Sequence, residues 1–312
     1  MSPFEEPQIL RSVLENLEAA VYLVDVDRRI VLWNRGAEQI TGYLRHEVVG
    51  RCCREDILVH CDENNTILCG AGCPLAETMR DGKPRQAEVF LRHKNGYRVP
   101  VLLRATPIRN RHGMIIGAAE SFGAKAIGGT LDCSGSRFPA SGGLDAVTGL
   151  PDHNSTESRL IESLNFFDEH ALPFTLLRIQ VDQLENFRAA HGPGAANAIL
   201  GVVAHTLRNT FHQDDFLGRW KTDQFMGVVM TSSSTFVRRL IQILECVVSG
   251  SVISWWGDEL SVTVSMGGTT VRTGDTISSL LGRAESALSQ SVAKGGHCFT
   301  VIDEENSIES GV

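Results

Sequence analysis

Cys52, Cys53, Cys61, Cys69 and Cys73 crowd into one short stretch, CCREDILVHCDENNTILCGAGCPL (residues 52–75), with His60 among them. Thiolate and imidazole are the usual ligands of zinc and iron–sulfur centres. Cys69-x3-Cys73 fits the short-spacing half of such a site, and Cys53, His60 or Cys61 can complete four ligands. The same thiols, if exposed and of low pKa, can instead form a reversible dithiol–disulfide pair. Buried in an apolar setting, they pack as small inert hydrophobes. Spacing leaves these three readings open. Eight cysteines in 312 residues are too few for a disulfide scaffold.

The elements that must position this chemistry follow from composition and pattern. At 312 residues with 42% hydrophobic and 21% charged content, the chain is long enough for two domains, each with its own core. Net charge is −8. A general nucleic-acid role calls for a basic balance or stripe, and neither is present, so no nucleic-acid partner is expected. No run approaches the ~20 apolar residues of a membrane span. The start, MSPFEEPQIL, lacks the basic and apolar regions of a secretory signal. The expectation is a cytoplasmic protein with no membrane partner.

In the first part, residues 7–20 place Ile9, Leu10, Val13, Leu14 and Leu17 on one helical face, suited to pairing with a second copy or to capping its own domain. AVYLVDVDRRIVLWN reads as two strands around a turn at 25–29, followed by a short helix at 35–41. Residues 86–92, 97–105 and 114–122 read as three more strands, the first two joined at Asn95-Gly96. The order predicts an α+β domain with a curved antiparallel sheet. VYLVDVDRRIVLWNRGAEQITGYLRHEVVG resembles the opening of a PAS domain, and HKNGYRVPVLLRATPIRNRHGMIIGAAESF resembles the PAS C-terminal sheet. Residues 1–123 are therefore expected to be a PAS sensor domain with a short N-terminal helix. Residues 124–143, rich in Gly, Ser and Ala, read as a linker.

From residue 144 onward helix and strand patterns alternate. Helices are expected at 158–167, 195–208, 234–248 and 277–290. Strands are expected at 174–181, 216–220, 225–230, 260–266 and 298–302. This is an α/β domain with a mixed sheet, expected over 144–304, with a tail at 305–312. DAVTGLPDHNS at 145–155, LGRWKTDQFMGVV at 217–229, SVTVSMGG at 261–268 and RAESALSQS at 283–291 together resemble a GGDEF domain, whose fold is a nucleotide-cyclase-like mixed sheet.

The resemblance implies a site for joining two GTP molecules on divalent metal, and it implies which residues would serve. The first metal-holding Asp of the family stands here as Gln180, while Asp182 keeps the second. The two signature glycines are Lys221 and Thr222, whose Cβ atoms would crowd a nucleotide and disfavour a positive-φ turn. The acid pair becomes Asp223 and Gln224. Mg²⁺ favours carboxylates, so the amides weaken the site. The guanine-recognising positions are Arg188 and Asn197, and Arg188 lacks an acceptor for guanine. The phosphate-gripping positions fall on Val292 and Gly296, or on Lys294 after a one-residue shift. The product-inhibition pattern reads His212-Gln213-Asp214-Asp215, without its arginine. The expectation is a signalling protein in which a PAS input is coupled to a catalytically inactive GGDEF-like domain used for binding or dimerisation. The alternative is an active diguanylate cyclase with an atypical site. Mg²⁺ and GTP are expected only if the second domain retains binding. A homodimer and a protein partner in a signalling pathway are expected on resemblance.

Overall fold

The computed structural model describes residues 7–55, 57–70, 72–124, 142–302 and 309–311. The chain divides into two compact units, Met1–Lys125 and Ala126–Val312. The proposed linker at 124–143 lies outside the described residues over 125–141.

The first unit runs α1 (Pro7–Asn16), β1 (Ala20–Asp25), β2 (Ile30–Trp33), α2 (Arg35–Thr41), α3 (Arg45–Val48), α4 (Pro74–Asp81), β3 (Arg85–Arg92), β4 (Arg98–Arg109) and β5 (Ile115–Ala124). Its strands form one antiparallel sheet in the order β2-β1-β5-β4-β3. Alternation along β1 and β5 turns one row inward. Ala20 pairs with Phe122, Tyr22 with Glu120, and Val24 with Ala118, and all six are buried. Tyr22, Trp33 and Phe122 pack with Leu75, Leu91 and Leu103 in the core.

The buried Asn34 fastens the entry to this domain. Its Oδ1 accepts from Val21 N at 2.8 Å and from Ala37 N at 2.9 Å, capping α2. Its Nδ2 donates to the carbonyls of Leu14 and Ala19, both at 2.9 Å. One amide thus holds α1, β1 and α2 together. Arg45 adds an ion pair to Glu15 of α1. Val13 on α1 is 54% exposed and Leu17, just beyond the helix, 41%.

The second unit runs α5 (His153–His170), β6 (Thr175–Val181), α6 (Leu184–Thr210), β7 (Phe216–Lys221), β8 (Gln224–Val229), α7 (Ser234–Ser249), β9 (Val252–Trp255), β10 (Asp258–Ser261), β11 (Val264–Thr270), α8 (Ile277–Ala293), β12 (Phe299–Ile302) and β13 (Glu309–Gly311). The main sheet is ordered β13-β12-β11-β6-β8-β7, and β9 and β10 form a separate ribbon. Only β11 and β12 run parallel among the described pairs, so the sheet is mixed. Leu160, Phe174, Leu176, Trp220, Met226, Leu280 and Ala284 form a core between one sheet face and the helices α5 and α8.

Three expectations change. The strand expected at 260–266 is two strands, because β10 ends at Ser261 and β11 begins at Val264. The helix expected at 195–208 is the latter half of α6, which bends at Gly192 (φ 83°, ψ 171°) before Pro193. Proline lacks the N–H that would continue the ladder, and the preceding residue is pushed out of the α region. Within the expected tail, Glu309–Gly311 pairs antiparallel with Phe299–Val301.

Asn34→Ala removes a helix cap and leaves buried backbone groups unpaired. It should lower the stability of the first unit by roughly 2–3 kcal/mol. Denaturant unfolding followed by Trp33 fluorescence would measure this, and Asn34→Ser should recover part of the loss.

Candidate functional site

The end of the central sheet carries the second unit's polar site. Gln180 and Gln224 are directly opposed across β6 and β8, and Gln224 Nε2 donates to Gln180 Oε1 at 3.1 Å. Arg178 lies two residues before Gln180, on the same face of β6. Its side chain is 3% exposed, and a guanidinium Nη2 donates to Gln224 Oε1. The same nitrogen sits 2.7 Å from Glu285 on α8, and the guanidinium lies over the Trp220 ring at 5.4 Å. Lys221 Nζ approaches Glu285 at 3.7 Å. Burial works against the charge on Arg178, while Glu285 and Asp223 support it. An arginine keeps its proton under such conditions.

Asp182 faces a different set of groups. Its carboxylate accepts from Thr263 Oγ1 and Ser265 Oγ, both at 2.7 Å, and from His297 N at 3.1 Å. Asp223 uses its backbone carbonyl to accept from Val181 N at 2.9 Å. The turn from Lys221 to Gln224 contains no positive-φ residue and no glycine. Arg188 and Asn197 both lie on α6, on opposite sides of its bend. Arg188 Nε is 3.6 Å from Glu185, and Asn197 is exposed. Val292 and Lys294 are exposed at the end of α8. His212 pairs with Asp214 at 3.5 Å, while Asp215 accepts from Met230 N and His212 N.

Residues 143–298 match the family model for the diguanylate cyclase GGDEF domain. The chain belongs to the GGDEF family. A PAS domain model matches residues 18–122, so a PAS domain precedes the GGDEF domain. The chain is 24% identical to diguanylate cyclase DgcP of Pseudomonas aeruginosa over 144 residues, 46% of this chain and 22% of that protein. It is 24% identical to the probable diguanylate cyclase DgcE of Escherichia coli over 247 residues, 76% of this chain and 21% of that protein. The chain thus spans about a fifth of the length of these curated relatives. Among solved structures, the GGDEF domain of DgcB from Caulobacter crescentus, in complex with c-di-GMP, aligns with a TM-score of 0.50 at 19% identity, covering 55% of this chain and 99% of that one. This likeness establishes the fold.

Two residues central to the GGDEF site were not singled out from sequence. Arg178 interrupts the otherwise apolar strand TLLRIQV, which was a readable signal. Glu285 lies within the RAESALSQS segment, but nothing local marked it as the partner of a strand arginine.

In the PAS domain the expected metal set of Cys53, His60, Cys61, Cys69 and Cys73 does not assemble. Among the described residues, no three His, Cys, Asp or Glu side chains converge closely enough to hold a metal ion. Local structure accounts for this. Cys61 is drawn into bridges with Ile67 and Phe90, and its thiol points to the Phe90 carbonyl at 3.7 Å. Cys73 stands at the N-cap position of α4, where its side chain makes no capping hydrogen bond. All five cysteines of the stretch are thiols, and only Cys69 is more than slightly exposed. Burial, then Glu120, pushes the Cys53 thiol up, and burial raises Cys69 as well. Neither is a ready thiolate.

Cys53 and Cys69 lie near a group the sequence reading overlooked. Glu120 is buried in the middle of β5 and accepts from Tyr22 Oη at 2.8 Å. His60 Nε2 lies 3.6 Å from Glu120 and is buried without a hydrogen-bond partner. Burial pushes the Glu120 carboxyl up to about 8, and burial, with Arg98 nearby, brings His60 down to about 4. At neutral pH the contact is a carboxylic acid beside a neutral imidazole, not an ion pair. Strict alternation with Ala118 and Phe122 was the signal that turned Glu120 inward.

The sign of the pH dependence follows. Folded Glu120 keeps a proton that the unfolded chain releases above 4.5, so stability falls as pH rises toward 8. Folded His60 refuses a proton that the unfolded chain takes below 6.5, so stability falls as pH drops toward 4. The two offset one another between 4.5 and 6.5. Above that window the pair should cost about 1.4 kcal/mol per pH unit until Glu120 ionises. Urea unfolding of wild type and Glu120→Gln at several pH values checks this, because the substitution should abolish the alkaline decline.

Proposed function

We propose that this chain is a signalling protein in which a PAS input domain is coupled to a catalytically silent GGDEF domain that acts by binding or dimerisation. The observation that carries this reading is the Gln180–Gln224 amide pair with Arg178 bonded to it. Joining two nucleoside triphosphates requires divalent metal to neutralise phosphate charge as the 3′-hydroxyl attacks. Two neutral amides provide no charge to hold the metal, and a buried guanidinium beside them repels it. Asp182, which the family resemblance makes a metal ligand, is engaged with Thr263, Ser265 and His297. Lys221 and Thr222 add side chains where the family has glycine.

The family's Mg²⁺ and GTP would have to bind through Asp182, Asp223, Arg188 and Asn197. Asp223 is the one retained signature acid, and it favours the second reading, an active cyclase with an atypical site. The remnant positions Gln180, Asp182, Lys221, Thr222, Asp223 and Gln224 are then the catalytic candidates. The exposed Val13 on α1 and Leu17 just after it support a homodimer formed through the PAS domain. Among the described residues no helix is long and apolar enough to cross a membrane, and we place the protein in the cytoplasm.

Full-length protein incubated with GTP and Mg²⁺ or Mn²⁺ should yield no cyclic di-GMP by mass spectrometry above a Lys221→Ala/Asp223→Ala background. Product above that background would establish a cyclase and end the silent-domain reading. Gln224→Glu alone should still show no Mn²⁺ binding by calorimetry, since Arg178 pairs with the new carboxylate. Adding Gln180→Asp and Arg178→Met should bring Mn²⁺ binding into the measurable range.

A further inference from the structure

The β9–β10 ribbon pairs Val252–Trp255 with Asp258–Ser261, leaving a two-residue turn of Trp256 and Gly257. Both turn residues have positive φ, 51° and 97°, which is type I′ geometry. Asn-Gly is the favoured sequence for that turn because its first position is left-handed as well as its second. A bulky side chain there is strained. Trp256 occupies the position and is 93% exposed, so packing within the chain does not offset the strain.

The neighbouring Trp255 behaves in the opposite way. Its indole rests on Gly194 of α6, where a Cβ would come within 2.9 Å of Trp255 Cη2. Ile253 and Leu260 are buried beneath the ribbon. The ribbon is thus rooted by three side chains, and its tip holds one indole out into water. A strained backbone and a solvated indole both count against the isolated chain, and docking the indole in a slot offsets both. Tryptophan is a frequent central anchor of protein interfaces.

The charge beside the tip narrows the partner. Asp258 and Glu259 follow the turn and are exposed. The sequence has no lysine or arginine between Arg239 and Arg272. We infer that the tip of the β9–β10 hairpin, Trp256 with Asp258 and Glu259, is a docking element for a protein that presents an apolar slot rimmed by lysine or arginine. The two carboxylates disfavour an anionic lipid surface, the other common setting for an exposed indole. The inference does not depend on whether the GGDEF site is silent.

The test uses the full chain with Trp256→Asn, the residue the turn prefers. Its Tm should be unchanged or raised, because strain is relieved. A lowered Tm would make Trp256 structural and overturn the inference. A protein that co-purifies with wild type from the cells that make it, and is lost on Trp256→Asn, is then purified and titrated. Its Kd should rise roughly tenfold or more with Trp256→Asn. It should also weaken with Asp258→Lys/Glu259→Lys and with added salt. Three results overturn the inference: Trp256-dependent self-association in sedimentation, Trp256-dependent binding to phosphatidylserine vesicles, or no protein whose binding depends on Trp256.

Discussion

The register of β6 against β8 sets residue 180 beside residue 224, and the polar end of the second domain follows from what those two side chains can do together. Two carboxylates at that separation repel unless a cation sits between them. Two amides join directly. Arg178, on the same face, then contributes a positive charge from within the strand, and Glu285 on α8 and Lys221 on the hairpin complete the set. The network links β6, β7, β8 and α8. It satisfies by internal contacts the polar groups at this end of the sheet.

The first domain solves a related problem with a proton. Burial disfavours a carboxylate anion on the inward row of β5, and Tyr22 and His60 lie beside the carboxyl. Cys53 and Cys69 share the same low-dielectric setting, which disfavours their thiolate forms. Being near one another in space is not the same as presenting ligands to one ion, and among the described residues no such group forms. Cys61 faces Phe90, while Cys73 opens a helix.

Most elements were legible because local signals agreed with the fold. Asn34 and Gly42 bracket α2 at both ends, and Asn95-Gly96 sits between β3 and β4. The alternating helix and strand order of the second domain followed from periodicity. What escaped the reading depended on longer-range geometry. The α4 helix begins at Pro74, inside a stretch whose cysteines drew attention to ligand spacing. The β9–β10 ribbon was hidden because its apolar residues run on into β11 without an obvious break. The partners of Gln224 and Glu120 come from positions far apart in the chain, which no window of sequence can pair.

The amide pair also sets how this end of the sheet answers to substitution. A single carboxylate introduced at 180 or 224 would stand beside Arg178, which would neutralise it. Replacing Arg178 alone would strip Gln224 and Glu285 of their cation. Side chains in one network couple, so the effects of changes here do not add. The three positions behave as one electrostatic unit, and a joint change of all three is needed to alter the charge that this edge presents.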